Sequence, residues 1–172
     1  MIESRIKAIR GALTEEGVDA LLMTNLEDSG QPNTRYVSGF SGSHSYTLIT
    51  QKQLWLITDG RYFSQVAEEA SHFTLVKLGA MPVAEVIAKS LAAAHVRTLL
   101  IDSERTSYEL MQRMKKRFGG IKVIPHSGLL HQLRIVKDKS ELKLLAKAAD
   151  ISCTAFNKLL PFIKPGITER QV

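Results

Sequence analysis

The chain has 172 residues, 44% hydrophobic and 23% charged, enough for one globular domain with a core and too few for two full-sized ones. No run reaches the roughly 18 consecutive apolar residues that span a bilayer, and the polar opening MIESRIKAIR lacks the apolar stretch of a secretory signal, so a cytoplasmic protein without a membrane partner is expected. The formal charge of +6 is concentrated at one end: residues 1–133 carry a net +2 and residues 134–172 a net +4, which speaks for a basic tail and against a nucleic-acid-binding face.

Ile2, Ile6, Ile9 and Leu13 recur at helical spacing, with Gly17 placed to end the helix. Residues 20–24 (ALLMT) read as a buried strand, and residues 25–35, rich in Asn, Asp, Ser, Gly, Gln and Pro, as a loop. Two apolar segments, 46–49 and 54–57, flank the polar Thr50 to Gln53 and predict an antiparallel hairpin. Asp59-Gly60 then turns the chain into a helix over 61–70. Strand patterns follow at 74–78, 98–102 and 121–124, and helix patterns at 82–94 and 107–118. Strands joined by helical crossovers imply a three-layer αβα domain with a mixed, mostly parallel sheet, ending near Leu133.

Residues 134–172 differ in character. Asp138 and Glu141 are spaced as a capping box, and Leu142, Leu145, Ala146, Ala149, Cys153, Phe156, Leu160 and Ile163 form one apolar stripe that requires a partner surface. Pro165-Gly166 breaks this helix, and Thr168 with Gln171 predicts the capped start of another. A chain that stops at Val172, one turn into a helix, is expected to be a fragment of a longer protein.

Groups that could carry chemistry are few. Cys153 is the single cysteine, which excludes a disulfide framework and a cysteine-cluster zinc site. None of the five histidines lies in an H-E-x-x-H arrangement, and His126 and His131, five apart, do not share a helical face. Gly39-Phe40-Ser41-Gly42-Ser43 approaches a nucleophile elbow, but its last residue is not glycine and a strand follows it, so a glycine-rich turn is the better reading. The cluster Arg113, Lys115, Lys116 and Arg117 sits where cations meet a helix C-terminus and lacks interleaved aromatics. In Thr58-Asp59-Gly60-Arg61-Tyr62-Phe63, Asp59 suits a helix cap. Arg61 offers a bidentate fork for a carboxylate, either in a structural ion pair or from a ligand or neighbouring domain.

Five segments together resemble the N-terminal domain shared by Xaa-Pro aminopeptidases, Xaa-Pro dipeptidases (prolidases) and creatinase: residues 17–25 (GVDALLMTN), 35–43 (RYVSGFSGS), 56–63 (LITDGRYF), 134–141 (RIVKDKSE) and 163–169 (IKPGITE). The resemblance implies a ribonuclease H-like fold of creatinase N-terminal type over residues 1–133. Residues 134–172 would then be a linker and the first helix of a truncated pita-bread catalytic domain. In that family the catalytic domain cleaves the bond before proline with two divalent metal ions (Mn, Co or Zn), whose ligands would all lie beyond Val172. The resemblance therefore implies no catalytic or metal residue here, no cofactor in this fragment, and a fragment inactive by itself. It further implies a domain that serves oligomerisation and substrate access, with its own catalytic domain, a homo-oligomer and a proline-containing peptide as partners. Arg61 is the residue it marks for substrate or interdomain contact, with Tyr36, Phe40 and His44 as weaker candidates. The 59–63 turn resembles the Xaa-Pro aminopeptidase branch most. A prolidase or creatinase-type parent, or a catalytically inactive protein-binding module such as a related histone chaperone, are the alternatives.

Overall fold

A computed structural model describes residues 2–27 and 31–172. The chain divides into two units, residues 1–133 and 134–172.

In the first unit, α1 (Ile2–Glu15) buries Ile6, Ile9 and Leu13, the stripe read from the sequence. It closes in a Schellman motif. Val18 N donates to Leu13 O and Gly17 N to Thr14 O, with Gly17 at a left-handed φ of +64°. Strand β1 (Ala20–Asn25) follows and is buried along its whole length. Its side chains alternate between the faces of the sheet: Leu21 and Met23 join one apolar core, Ala20 and Leu22 the other.

Of residues 25–35, expected as a loop, 28–30 lie outside the described residues, and Gln31–Ser38 form a helix, α2. Polar composition conceals this helix because polar groups are what it buries. Asn33 and Thr34 are buried beside Val37, and Asn33 Nδ2 donates to Asp102 Oδ2 at 2.9 Å. Pro32 sits in the first turn, where its missing N–H costs no helical bond.

The hairpin forms as predicted from β2 (Ser45–Thr50) and β3 (Leu54–Thr58), paired antiparallel with Tyr46 opposite Ile57. A short 3-10 turn (Gly60–Tyr62) then leads into α3 (Phe63–Glu69), so the expected helix over 61–70 starts in the tighter form. β4 (Thr74–Lys77), α4 (Val83–Ala93), β5 (Thr98–Asp102), α5 (Tyr108–Lys115) and β6 (Lys122–His126) complete the expected order. One more helix, α6 (Leu129–Ile135), is absent from the sequence reading; it is short and buries only Leu130, too little to give a periodic signal.

The six strands lie in the order β4-β3-β2-β1-β5-β6. β2 is antiparallel to both neighbours, and the β3–β4, β1–β5 and β5–β6 pairs are parallel. One core packs α1, α2, α3 and α6 on one face of the sheet, and a second packs α4 and α5 on the other. The result is the expected three-layer αβα architecture with a mixed sheet.

α4 ends in the same Schellman pattern as α1, with Val96 N donating to Leu91 O and His95 N to Ala92 O. Here the left-handed position is occupied by His95, at φ +54°, the one non-glycine residue with positive φ among those described. A Cβ in this region costs energy that glycine avoids. His95→Gly is accordingly expected to stabilise the domain by about 1 kcal/mol in urea unfolding.

In the second unit, α7 (Lys139–Leu159) starts in the predicted capping box: Asp138 accepts from Ser140 N and Glu141 N, and Glu141 accepts from Asp138 N at 3.0 Å. A 3-10 turn (Leu160–Phe162) continues it. The apolar stripe is exposed, with Leu142, Leu145, Phe156 and Ile163 all open to solvent. The expected helix after Pro165-Gly166 is a turn. Thr168 N donates to Gln171 Oε1, one half of a capping box, but a single turn closes too few backbone bonds to form a helix.

Candidate functional site

Because β2 runs against the other strands, its entry and the exits of β1 and β3 meet at one edge of the sheet. Asn25, Ser43 to Ser45 and Thr58 to Arg61 gather there. Thr58 Oγ1 donates to the His44 carbonyl at 2.6 Å, and Asn25 Nδ2 to the Gly42 carbonyl at 2.9 Å. The Ser43 hydroxyl and Tyr62 OH share a hydrogen bond of 2.8 Å. Phe40 meets the Tyr62 ring edge to face, with centroids 5.7 Å apart.

Gly42 makes this assembly sterically feasible. A Cβ there would lie 2.2 Å from Phe40 Cζ and 2.8 Å from Tyr62 Cδ1. The Gly39–Ser43 segment is thus a close-packed turn. Ser41, the residue of the elbow-like pattern, donates its hydroxyl to Glu69 Oε1 at 2.9 Å and accepts from Gln65 Nε2 at 2.9 Å. Burial raises the Glu69 carboxyl, but the Ser41 and Gln65 donors outweigh it and hold the group below its ordinary pKa. Ser41 serves as a tether between the turn and α3.

Asp59 caps the 3-10 turn by accepting from Arg61 N at 3.1 Å, as its position in the sequence predicts. The same carboxylate receives the Arg61 fork, Nε on Oδ1 at 2.9 Å and Nη2 on Oδ2 at 3.0 Å. A second carboxylate, Glu27 from the segment after β1, accepts from Arg61 Nη1 at 3.1 Å. His44 Nδ1 lies 3.2 Å from Asp59 Oδ2, at ion-pair distance but without hydrogen-bond geometry. The Arg61 bonds hold the Asp59 carboxyl down at about 2, so it is ionised at neutral pH, and the two carboxylates push the Arg61 pKa further up.

Of the four candidate residues, Arg61 and His44 come together through Asp59. Arg61 keeps 57% of its side-chain surface open and His44 22%. Phe40 has no exposed surface at all and belongs to the core, so it supports Tyr62 from beneath and has nothing to offer a ligand directly. Tyr36 engages different elements: the Arg5 guanidinium stacks on its ring at 4.0 Å, and its OH donates to Leu133 O at 3.1 Å, joining α2 to α1 and α6. Glu27 goes unnoticed in the sequence because nothing in a polar segment marks a residue that meets an arginine 34 positions away.

Among the described residues no three His, Cys, Asp or Glu side chains are grouped so as to hold a metal ion. The basic residues on and just after α5 are partly tied up, Arg113 with Glu109 and Arg117 with Glu85 at 3.2 Å. No helix among the described residues is long and apolar enough to cross a membrane.

The fold is similar to those of solved peptidase structures. The Xaa-Pro dipeptidase of Bacillus anthracis matches with a TM-score of 0.90 and 31% identity, covering 99% of this chain and 46% of that one. The X-Pro aminopeptidase of Thermotoga maritima matches with a TM-score of 0.84 and 34% identity, covering 90% of this chain and 44% of that one. A more distant fold match, with a TM-score of 0.64 and 19% identity over 81% of this chain and 26% of that one, is the X-prolyl aminopeptidase of Caenorhabditis elegans, a cytosolic enzyme with a di-nuclear active site. The chain spans 44–46% of the length of the curated relatives that it matches over nearly its full extent. With residues 5–136 matching the family described as the creatinase/prolidase N-terminal domain, and with its fold shared by these peptidases, the chain belongs to that family.

Proposed function

We propose that this chain is the non-catalytic N-terminal part of a metal-dependent Xaa-Pro aminopeptidase, serving assembly and substrate access. In this reading the Arg61 surface contacts the peptide substrate or a neighbouring domain. The observation that carries it is Arg61 itself, an exposed guanidinium fixed at the end of β3 by three side-chain bonds to two carboxylates. A side chain so immobilised gives up little conformational entropy when it meets a ligand. In this reading the hydrolytic groups, two divalent metal ions and their ligands, belong to a catalytic domain and not to residues 1–133. Residues 134–172 would be the opening segment of that catalytic domain, and the exposed stripe of α7 would pack within it.

The test uses the full-length protein with manganese, assayed on Xaa-Pro peptides. Arg61→Ala is expected to lower kcat/KM about tenfold, the usual size of one lost charged hydrogen-bond contact. An unchanged kcat/KM would remove Arg61 from substrate access. Relative rates on Xaa-Pro dipeptides and longer Xaa-Pro peptides separate an aminopeptidase from a prolidase, a reading that the dipeptidase relatives favour. No metal-dependent hydrolysis of any such peptide would instead support an inactive protein-binding module.

A further inference from the structure

The fork of Arg61, which suits a carboxylate, is already closed on a carboxylate of its own chain. A guanidinium has five N–H donors. Asp59 takes two through Nε and Nη2, and Glu27 a third through Nη1. Among the described residues, one N–H on each terminal nitrogen remains open, at the centre of a group with one positive and two negative formal charges. An anionic ligand approaching Arg61 meets Asp59 and Glu27 as well, whereas a carbonyl oxygen can still accept from the free N–H groups and a cation gains from the excess carboxylate. We propose that Glu27 is a specificity-determining residue, which turns the Arg61 surface from an anion site into one that prefers peptides with neutral or cationic side chains.

Glu27 and Asp59 are not equivalent in this. Asp59 also caps the turn and faces His44, so its removal disturbs the backbone that carries Arg61. Glu27 is 61% exposed and reaches Arg61 through a different nitrogen, so it adjusts the charge of the surface with less effect on the turn. The attraction is that of exposed charges, modest in size and screened by salt.

This inference rests on the reading of Arg61 as a substrate contact, and the experiment separates the two. The full-length protein, its Glu27→Gln, Glu27→Asp and Arg61→Ala variants are assayed on two sets of proline-containing tripeptides. One set varies the residue before proline and one the residue after it, each through Lys, Ala and Glu. In at least one set, Glu27→Gln is expected to shift the Lys-to-Glu ratio of kcat/KM toward Glu by roughly 2- to 5-fold at low salt, less at high salt. Glu27→Asp, which keeps the charge, is expected to retain the parental ratio. If Glu27→Gln leaves the ratio unmoved in both sets while Arg61→Ala lowers kcat/KM, Glu27 has no part in specificity although Arg61 contacts substrate. If Arg61→Ala changes nothing on any peptide, both ideas fall.

Discussion

Gly42→Ala is expected to destabilise the first unit by about 3 kcal/mol, read as a lower midpoint in urea unfolding with an unchanged slope. The added methyl would sit 2.2 Å from Phe40 Cζ, well inside van der Waals contact. Neither side can yield easily. Phe40 is fully buried against Tyr62, and the Gly42 backbone is held by the bond from Asn25 Nδ2 to its carbonyl. Relief would have to come from displacing a core ring or breaking a buried hydrogen bond, which places the effect at the upper end for overpacking. The clash is most severe with Phe40, and Tyr62 Cδ1 at 2.8 Å is the second partner. Phe40→Leu, destabilising by itself through the cavity it leaves, should recover at least about 1 kcal/mol when combined with Gly42→Ala. Strictly additive losses would show that the backbone and not the ring absorbs the strain.

Asp102→Ala is the second large effect, expected to cost about 2 kcal/mol. The Asp102 carboxylate ends β5 with only 6% of its surface exposed. It accepts from Asn33 Nδ2 at 2.9 Å and from Glu104 N at 3.2 Å, so truncation removes the acceptor for both donors. Burial raises its pKa above the ordinary value of 3.8, with the Asn33 hydrogen bond only partly opposing the shift. The contribution of Asp102 is therefore fully present below its unfolded value and shrinks as pH rises through its folded one. Asp59 and Glu69, both held low, behave oppositely and lose their contributions as pH falls through their depressed values. Subtracting the variant's unfolding free energy from the parent's at each pH cancels those groups. The difference should be greatest near pH 3 and smaller at pH 7. A difference that grows toward neutrality would contradict the raised pKa.

Where one element suffices to specify itself, the sequence reads correctly. The stripe of α1, the β2–β3 hairpin, the Asp59 cap and the Asp138–Glu141 capping box depend on neighbours a few positions away, and each forms as expected. α2 is missed because its stability comes from across the domain. Asn33 bonds to Asp102, 69 residues on, and helix propensity and periodicity carry no trace of that partner. The same limit governs the site. Arg61 is legible as an unusual residue after a tight turn, but the carboxylate from Glu27 and the full burial of Phe40 are products of sheet assembly.

The reversed direction of β2 also fixes where the molecule can be handled. Its entry lies with the Arg61 turn, so its exit and the Thr50–Gln53 turn stand at the far edge of the sheet. That turn is closed by its own bonds, with the Thr50 hydroxyl accepting from Lys52 N and Gln53 N. Gln51 is committed to α1 through Arg10 and Thr14, whereas Lys52 points its side chain into solvent. A fluorophore or surface tether at position 52 therefore sits a whole strand length from the guanidinium and leaves the Arg61 surface unobstructed.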